Sequence, residues 1–409
     1  MKKKALVKKT CVVNTFIGVT ILWFLLGSVL MHNLISKNHD IHEIKHRIQT
    51  KEDGKIIPKQ PYEYNKLLDE LDEISGGANA KDLTCPPPLV PFQNIIRRNN
   101  FDPKDRIPKI LHFTMPSRCI PQDIYRTIQK WTNTLPQYSI FFHDDTAVEK
   151  LLSQEWNEFP LLQDALICVL FKGAMRIDVW RILLLYKYGG IYSDIDNWPR
   201  PKMNQKVIRN DVSAWFLTDF MDRPSQWFIA IEKHHPILYL TMHKIIDNLM
   251  KLQTLWRIEV VFVTGPYALK EGYFHFLNSK GLSRDDAVKQ MLKIGSATKD
   301  ILDTLNKDDE VMVGMENKQV IKLWNGKQAG RQFVGNKIGY DDIVPHPFNA
   351  TLNITRGERI HIESGMEHWE KVNYRSNKDL KTKGIKQSLT CKQYIDNVKS
   401  GSMKQLEPW

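Results

Sequence analysis

Residues Phe171 to Asp196 read FKGAMRIDVWRILLLYKYGGIYSDID. The stretch as far as Tyr188 is apolar almost all round, the pattern of a helix covered on several sides. Its charged residues are therefore informative. Asp178 and Arg181 stand three apart, share a helical face and can pair. Gly189 and Gly190 stop the helix, Gly189 as a left-handed cap, and IYSDID has strand propensity. Strand alternation sends Tyr192, Asp194 and Asp196 to one side and Ile191, Ser193 and Ile195 to the other. Two carboxylates thus converge at the end of a strand.

Upstream, Ile110 to Thr114 (ILHFT) is a short apolar run between prolines, which predicts a buried strand. PQDIYRTIQKWTNTLP places Ile124, Ile128 and Trp131 at helical spacing with proline at either end. YSIFFHDD predicts a second strand and TAVEKLL a short helix. Strand, helix, strand, helix with short connections predicts an α/β fold with a parallel sheet, whose ligands bind beyond the carboxyl ends of strands. Downstream, AWFLTDFM and QWFIAIEKHHP are expected as strands and PILYLTMHKIIDNLMKL as a helix. VVFVTGPYAL is expected as a strand entering a turn and a helix. The spaced glycines of NGKQAGRQFVGNKIGYDD suggest loops or hairpins.

The 409 residues, 42% hydrophobic and 25% charged, can bury a sizeable core. Of the net charge of +12, five charges come from Lys2, Lys3, Lys4, Lys8 and Lys9. The rest is dispersed, and no nucleic-acid partner is expected. No Asp, Glu, Lys or Arg interrupts Thr10 to Ser36. That run is long enough for a helix across a hydrocarbon core of about 30 Å. It is longer than a cleaved signal's core and lacks a small-x-small cleavage site. With lysines before it, the expectation is a cytoplasmic tail (1–10), a transmembrane signal anchor (11–31), a lumenal stem (32–103) and a globular domain (104–409). That domain divides at 200 into two halves. Within the stem, Leu67, Leu68, Leu71 and Ile74 share one face of a short helix that can dock on the globular part. Cys85, Cys119, Cys168 and Cys391 lie beyond the anchor and allow three pairings, among which the sequence does not choose. The sequons at Asn349 and Asn353 are N-glycosylation acceptors if that side is lumenal.

Converging carboxylates repel each other unless a cation joins them, and a hard divalent ion is the usual resolution. Such an ion, held by Asp194 and Asp196, can bind a nucleotide's phosphate oxygens and stabilise a leaving diphosphate. The alternative reading of Asp178 and Arg181 is a buried ion pair at a polar strand end. Motifs for P-loop phosphate binding, Rossmann dinucleotide binding, zincin and serine-hydrolase chemistry are missing.

The same stretch resembles the core signature of the DXD-containing glycosyltransferases of family 32. That group includes the yeast-type initiating α-1,6-mannosyltransferases, the inositol-phosphorylceramide mannosyltransferases and the α-1,4-galactosyl- and N-acetylglucosaminyltransferases. The resemblance runs through Asp178, Arg181, Gly189, Gly190, Tyr192, Asp194 and Asp196, with IPKILHFT and WTNTLPQYSIFFHDD as its opening strands. It implies a GT-A fold with a mostly parallel, Rossmann-like sheet, with 104–200 as the nucleotide-sugar half and 201–409 as the acceptor half, and hexose transfer from a nucleotide sugar with retention of configuration. It also implies Mn²⁺ or another divalent cation, a Golgi membrane location and complexes with other glycosyltransferases. By analogy, His112 and Thr114 contact the nucleotide, and Asp178, Arg181 and Asp194 hold sugar or ribose. Asp178 and Arg181 act in catalysis, and Asp194, Asp196 and His368 serve the metal, with His361 as a rival to His368. GDP-mannose to a glycan or glycolipid is the first reading, and a UDP-galactosyl or N-acetylglucosaminyl donor the second. An inactive membrane-anchored nucleotide-sugar or glycan binding protein and a metal-dependent hydrolase are the rivals from other classes.

Overall fold

The computed structural model describes residues 61–76, 83–92, 96–98, 100–169, 173–218, 223–256, 258–279, 310–313, 319–325, 333–335, 342–365 and 380–406. The tail 1–10, the segment 11–31 read as an anchor and His368 lie outside them. Among the described residues no helix is long and apolar enough to cross a membrane.

Helix α1 (Pro61–Ser75) belongs to the compact unit Lys59–Trp409. Its Leu68 and Leu71 are fully buried and share one cluster with Phe141, Val148 and Leu151. Each such leucine contributes about 1.5–3 kcal/mol. Arg97 adds bridges to Asp69 (2.6 Å) and Asp72 (2.9 Å), and the Arg118 guanidinium donates to the Ser75 carbonyl. The boundary between stem and body, expected at 103, therefore falls before this helix. Strand β1 (Val90–Pro91) precedes β2 (Ile110–Thr114) and β3 (Cys119–Ile120). β1 pairs antiparallel with β3, and the Cys85–Cys119 disulfide ties the same join.

Next come α2 (Gln122–Thr134), β4 (Ser139–His143), α3 (Asp145–Leu152), α4 (Leu162–Ile167), α5 (Gly173–Tyr188) and β5 (Gly190–Ser193). Helix α2 buries Ile124, Ile128 and Trp131, as its spacing predicts. Helix α3 starts where the Asp144 side chain accepts from the Ala147 N–H. β2 runs parallel to both β4 and β5, so Thr114, His143 and Ser193 end on one edge of the sheet. Gly189 (φ +66°) closes α5 and Gly190 (φ +96°) opens β5. A Cβ on Gly190 would sit 2.7 Å from the Ile110 carbonyl, so the two strands approach too closely for any side chain there.

The chain continues through β6 (Trp198–Pro199), β7 (Val212–Thr218), β8 (Pro224–Ile231), α6 (Pro236–Met250), α7 (Val260–Val263) and α8 (Pro266–Ser279). Beyond them lie β9 (Glu310–Val313), β10 (Gln319–Asn325), β11 (Val334–Gly335), β12 (Ile343–His346), β13 (Asn349–Thr355), α9 (Arg356–Ser364) and α10 (Cys391–Lys399). The main sheet has the order β4-β2-β5-β8-β7-β10-β9. It is mixed, where the resemblance implied a mostly parallel sheet. β8 runs antiparallel to both β5 and β7. The link from β7 to β8 is too short for a parallel crossover, which needs a dozen or more residues. One face packs on α1, α5, α6 and α8 through Ile110, Tyr192, Phe216 and Ile229. The other packs on α2 through Leu111, Phe113, Ile191 and Phe228.

Two local expectations change. VVFV is the helical turn α7, since Thr264 and Gly265 both donate back to the Val260 carbonyl, and tertiary context overrides its β propensity. IYSDID is a strand only to Ser193, and residues after it form a turn closed by Asn197 N–H to the Asp194 carbonyl (3.1 Å). Alternation therefore places Asp194 beside Tyr192 but does not extend to Asp196.

Cys168 and Cys391 form the second disulfide, joining the end of α4 to the start of α10, with Lys399–Asp164 (2.7 Å) alongside. Cys391→Ser should lower stability by roughly 2–4 kcal/mol. Urea denaturation under non-reducing conditions measures this, and an unchanged midpoint would contradict a structural role for the bond.

Candidate active site at the carboxyl edge of the sheet

Helix α5 carries Asp178 and Arg181 into the protein, each with about 10% of its side chain exposed. The Arg181 guanidinium faces the Asp178 carboxylate at 3.4 Å and the Asp194 carboxylate at 3.3 Å. One cation thus serves two acids. It also donates to the Gln226 carbonyl (2.8 Å) and lies over the Tyr192 ring at 4.6 Å. The Tyr192 hydroxyl donates to Asp194 Oδ1 (2.7 Å). On the other side the Thr264 hydroxyl donates to Asp178 Oδ2 (2.9 Å). The β5 turn that presents Asp194 and Asp196 is pinned by Asn197, whose amide donates to the Trp227 carbonyl (2.9 Å) and whose carbonyl accepts from Trp131 (2.9 Å).

Burial pushes the Asp178 carboxyl up to about 6, against the opposing pull of Arg181 and the Thr264 hydrogen bond. Burial also raises Asp194, opposed by Arg181 and Tyr192. About a third of the Asp194 side chain reaches solvent, which screens that shift.

The residues predicted from sequence separate into three groups. Asp178, Arg181, Tyr192 and Asp194 are brought together, and Asp196 follows half-buried in the adjoining turn. His112 is elsewhere in role. It is fully buried, with Nε2 3.1 Å from the Gly189 carbonyl and Nδ1 3.2 Å from His143 Nε2. The carbonyl can only accept, so His112 carries its proton on Nε2 and accepts from His143. Burial lowers His112 to about 4 and His143 well below the usual imidazole range, so both are neutral at pH 7. This ring holds the glycine turn and does not offer a nitrogen to a nucleotide. Thr114 ends β2 and donates to the His143 carbonyl (2.9 Å). His361 sits half-buried in α9, which packs on the β12–β13 hairpin. Asn349 and Asn353 are exposed on β13, and the Thr351 hydroxyl donates to the Asn349 side-chain oxygen (2.7 Å).

Thr264 and Gln226 complete the site, and the sequence reading did not single them out. The available signals were slight: a threonine ending the apolar run VVFV, and a glutamine at the start of the strand PSQWFIAI.

Among the described residues no group of three or more His, Cys, Asp or Glu is placed to hold a metal by protein atoms alone. Two carboxylates at a strand end do fit a hard dication of the kind shared between one or two protein acids, water and substrate phosphates. Asp194 keeps solvent access for such a role, and Asp196 is half-buried beside it.

The buried Asp178–Arg181 helix, the Gly-Gly turn, and the Asp194 and Asp196 turn after β5 lie together at the carboxyl edge of the sheet, and all fall within one segment that matches a known family. Residues 121–213 match the family described as "Glycosyltransferase sugar-binding region containing DXD motif". The chain is similar to the Initiation-specific alpha-1,6-mannosyltransferase of Schizosaccharomyces pombe, 24% identical over 197 residues, covering 42% of this chain and 49% of that one. It is also similar to Inositol phosphoceramide mannosyltransferase 3 of the same organism, 25% identical over 166 residues, covering 40% and 44%. A third relative is the Initiation-specific alpha-1,6-mannosyltransferase of Candida albicans, 22% identical over 194 residues, covering 40% and 50%. The matches span about half the length of these relatives. Together they support the family-32 resemblance. Among solved structures, PaToxG Glycosyltransferase aligns with a TM-score of 0.34 and 16% identity over 56% of this chain and 83% of that one.

Proposed function

We propose that the chain is a retaining glycosyltransferase that moves a hexose from a nucleotide sugar, mannose from GDP-mannose in the first reading, to a glycan or glycolipid. The observation that carries the reading is Arg181, a buried guanidinium set between Asp178 and the strand-end Asp194. The mannosyltransferase relatives favour the sugar. The expected membrane anchor and sequons favour a type II protein of the Golgi, with its catalytic domain lumenal and Asn349 and Asn353 as glycan acceptors.

Arg181 supplies fixed positive charge where a diphosphate gains negative charge as the sugar leaves, the kind of preorganised electrostatics that dominates such catalysis. Asp178, fixed by Thr264, accepts from a sugar or ribose hydroxyl and holds the donor in place. Tyr192 keeps Asp194 from rotating away. Asp194 and Asp196 would hold a divalent ion, which when bound neutralises charge on the diphosphate. The acceptor hydroxyl enters on the face from which the diphosphate leaves, and positioning takes the place of an enzymatic nucleophile.

The test incubates the purified full chain in detergent with Mn²⁺, a panel of GDP- and UDP-sugars and mannosyl or inositol-lipid acceptors, and measures free nucleotide. Acceptor-dependent GDP release is expected, with Asp196→Ala reducing it at least tenfold. Release from a UDP-sugar alone would move the donor assignment. No release from any donor would remove the enzyme reading.

A further inference from the structure

Asp178 and Arg181 on α5 have their shortest contacts outside the α5–β5 unit. Asp178 is nearer the Thr264 hydroxyl (2.9 Å) than Arg181 (3.4 Å). Arg181 is nearer the Gln226 carbonyl (2.8 Å) than either carboxylate. Gln226 and Thr264 are themselves joined, since Gln226 Nε2 donates to the Thr264 carbonyl (2.9 Å). Both residues are buried. That carbonyl accepts only, which fixes the orientation of the Gln226 amide and leaves its Oε1 buried with no hydrogen-bond partner among the described residues. A buried unpaired acceptor is unfavourable, and packing alone gives no reason to keep it. The Thr264 backbone is equally constrained. Its N–H and that of Gly265 both return to the Val260 carbonyl, so the hydroxyl is aimed by a closed turn.

We infer that Thr264, braced by Gln226, is a positioning residue that fixes the Asp178 carboxylate against Arg181 for donor binding, so that the acceptor half of the chain sets the geometry of the donor pair. The inference rests on the glycosyltransferase reading for its effect on turnover, and on the hydrogen bonds alone for the coupling itself. A hydrogen bond to a charged group is worth about 1.5–3 kcal/mol, or roughly tenfold and more in an equilibrium constant. The hydroxyl accounts for that and a methyl of the same shape does not.

The experiment uses the full chain with Thr264→Val, Thr264→Ser, Gln226→Met and Asp178→Asn, and the Thr264→Val/Asp178→Asn double variant. Thr264→Val should lower kcat/KM for the nucleotide sugar about tenfold or more, chiefly through KM, and Thr264→Ser should stay within about threefold of the native chain. Gln226→Met keeps the backbone carbonyl and loses only the brace, so it should give part of the Thr264→Val loss, and no loss would remove Gln226 from the inference. Urea unfolding gives the second readout. The unfolding constant should change about fivefold or more less for Thr264→Val in the Asp178→Asn background than in the native one. Additive effects would overturn the inference even if the native chain turns over normally. A native chain inert toward every donor would instead remove the function, while the unfolding cycle would still decide whether Thr264 holds Asp178.

Discussion

Arg181→Met should destabilise the protein by about 3–5 kcal/mol at pH 7.5 and lower donor turnover by two orders of magnitude or more. The size follows from what the guanidinium leaves behind. Asp178 and Asp194 both face it, and methionine fills much of the space over Tyr192 without any charge. The pH dependence has a definite sign. Asp178 titrates near 6 in the folded chain and near 4 when unfolded, so the folded state binds more protons between those values. Its contribution is most favourable below about pH 4 and is lost as pH rises toward 6. Without Arg181 that window extends upward. The stability deficit of the variant should therefore be largest at pH 7.5 and shrink toward pH 5. Urea midpoints at both pH values measure it, and a deficit independent of pH would mean the cation does not balance these acids.

Gly190→Ala should cost about 2–6 kcal/mol, the sum of overpacking and a residue forced to positive φ. The new methyl would meet the Ile110 carbonyl at 2.7 Å, Ile110 Cβ at 3.1 Å and His112 Nε2 at 3.3 Å. None of these is the free end of a flexible side chain. Relief requires β5 to move away from β2, and Asp194 begins where β5 ends. Loss of donor binding should thus accompany loss of stability. Gly173→Ala is the matched control, because a Cβ there meets nothing within 4 Å. Thermal denaturation of the two variants should separate them clearly, and equal melting temperatures would contradict the close approach of the strands.

The part of the fold legible in sequence is the part with strong local punctuation. Ile110–Thr114, α2, β4, α3 and α5 each carry an apolar period bounded by Pro, Gly or a capping Asp and form as predicted, while β5 forms but stops at Ser193. The pairing of Asp178 with Arg181 was legible for the same reason, since three-residue spacing on a helix is a local fact. What failed depends on distant neighbours. The placement of β8 between β5 and β7 has no local signature. VVFV has strand propensity and still forms a helical turn. Thr264 meets Asp178 across 86 residues of chain, and His112 looked like a ligand because sequence cannot say that a backbone carbonyl and a second histidine occupy both ring nitrogens.

The place of β8 in the sheet bears on how donor and acceptor preferences can change over evolution. A nucleotide-sugar half ending at 200 and an acceptor half beginning at 201 would be interchangeable modules. One of the two strands that border β5 comes from beyond that point, and so do the groups nearest Asp178 and Arg181. Helix α1 and helix α10, from opposite ends of the body, share one cluster. Recombination at residue 200 would therefore bring together the Asp178–Arg181 pair and a supporting strand with no history of fitting each other. A change around Asp178 and Arg181 would have to be matched by residues on both sides of residue 200.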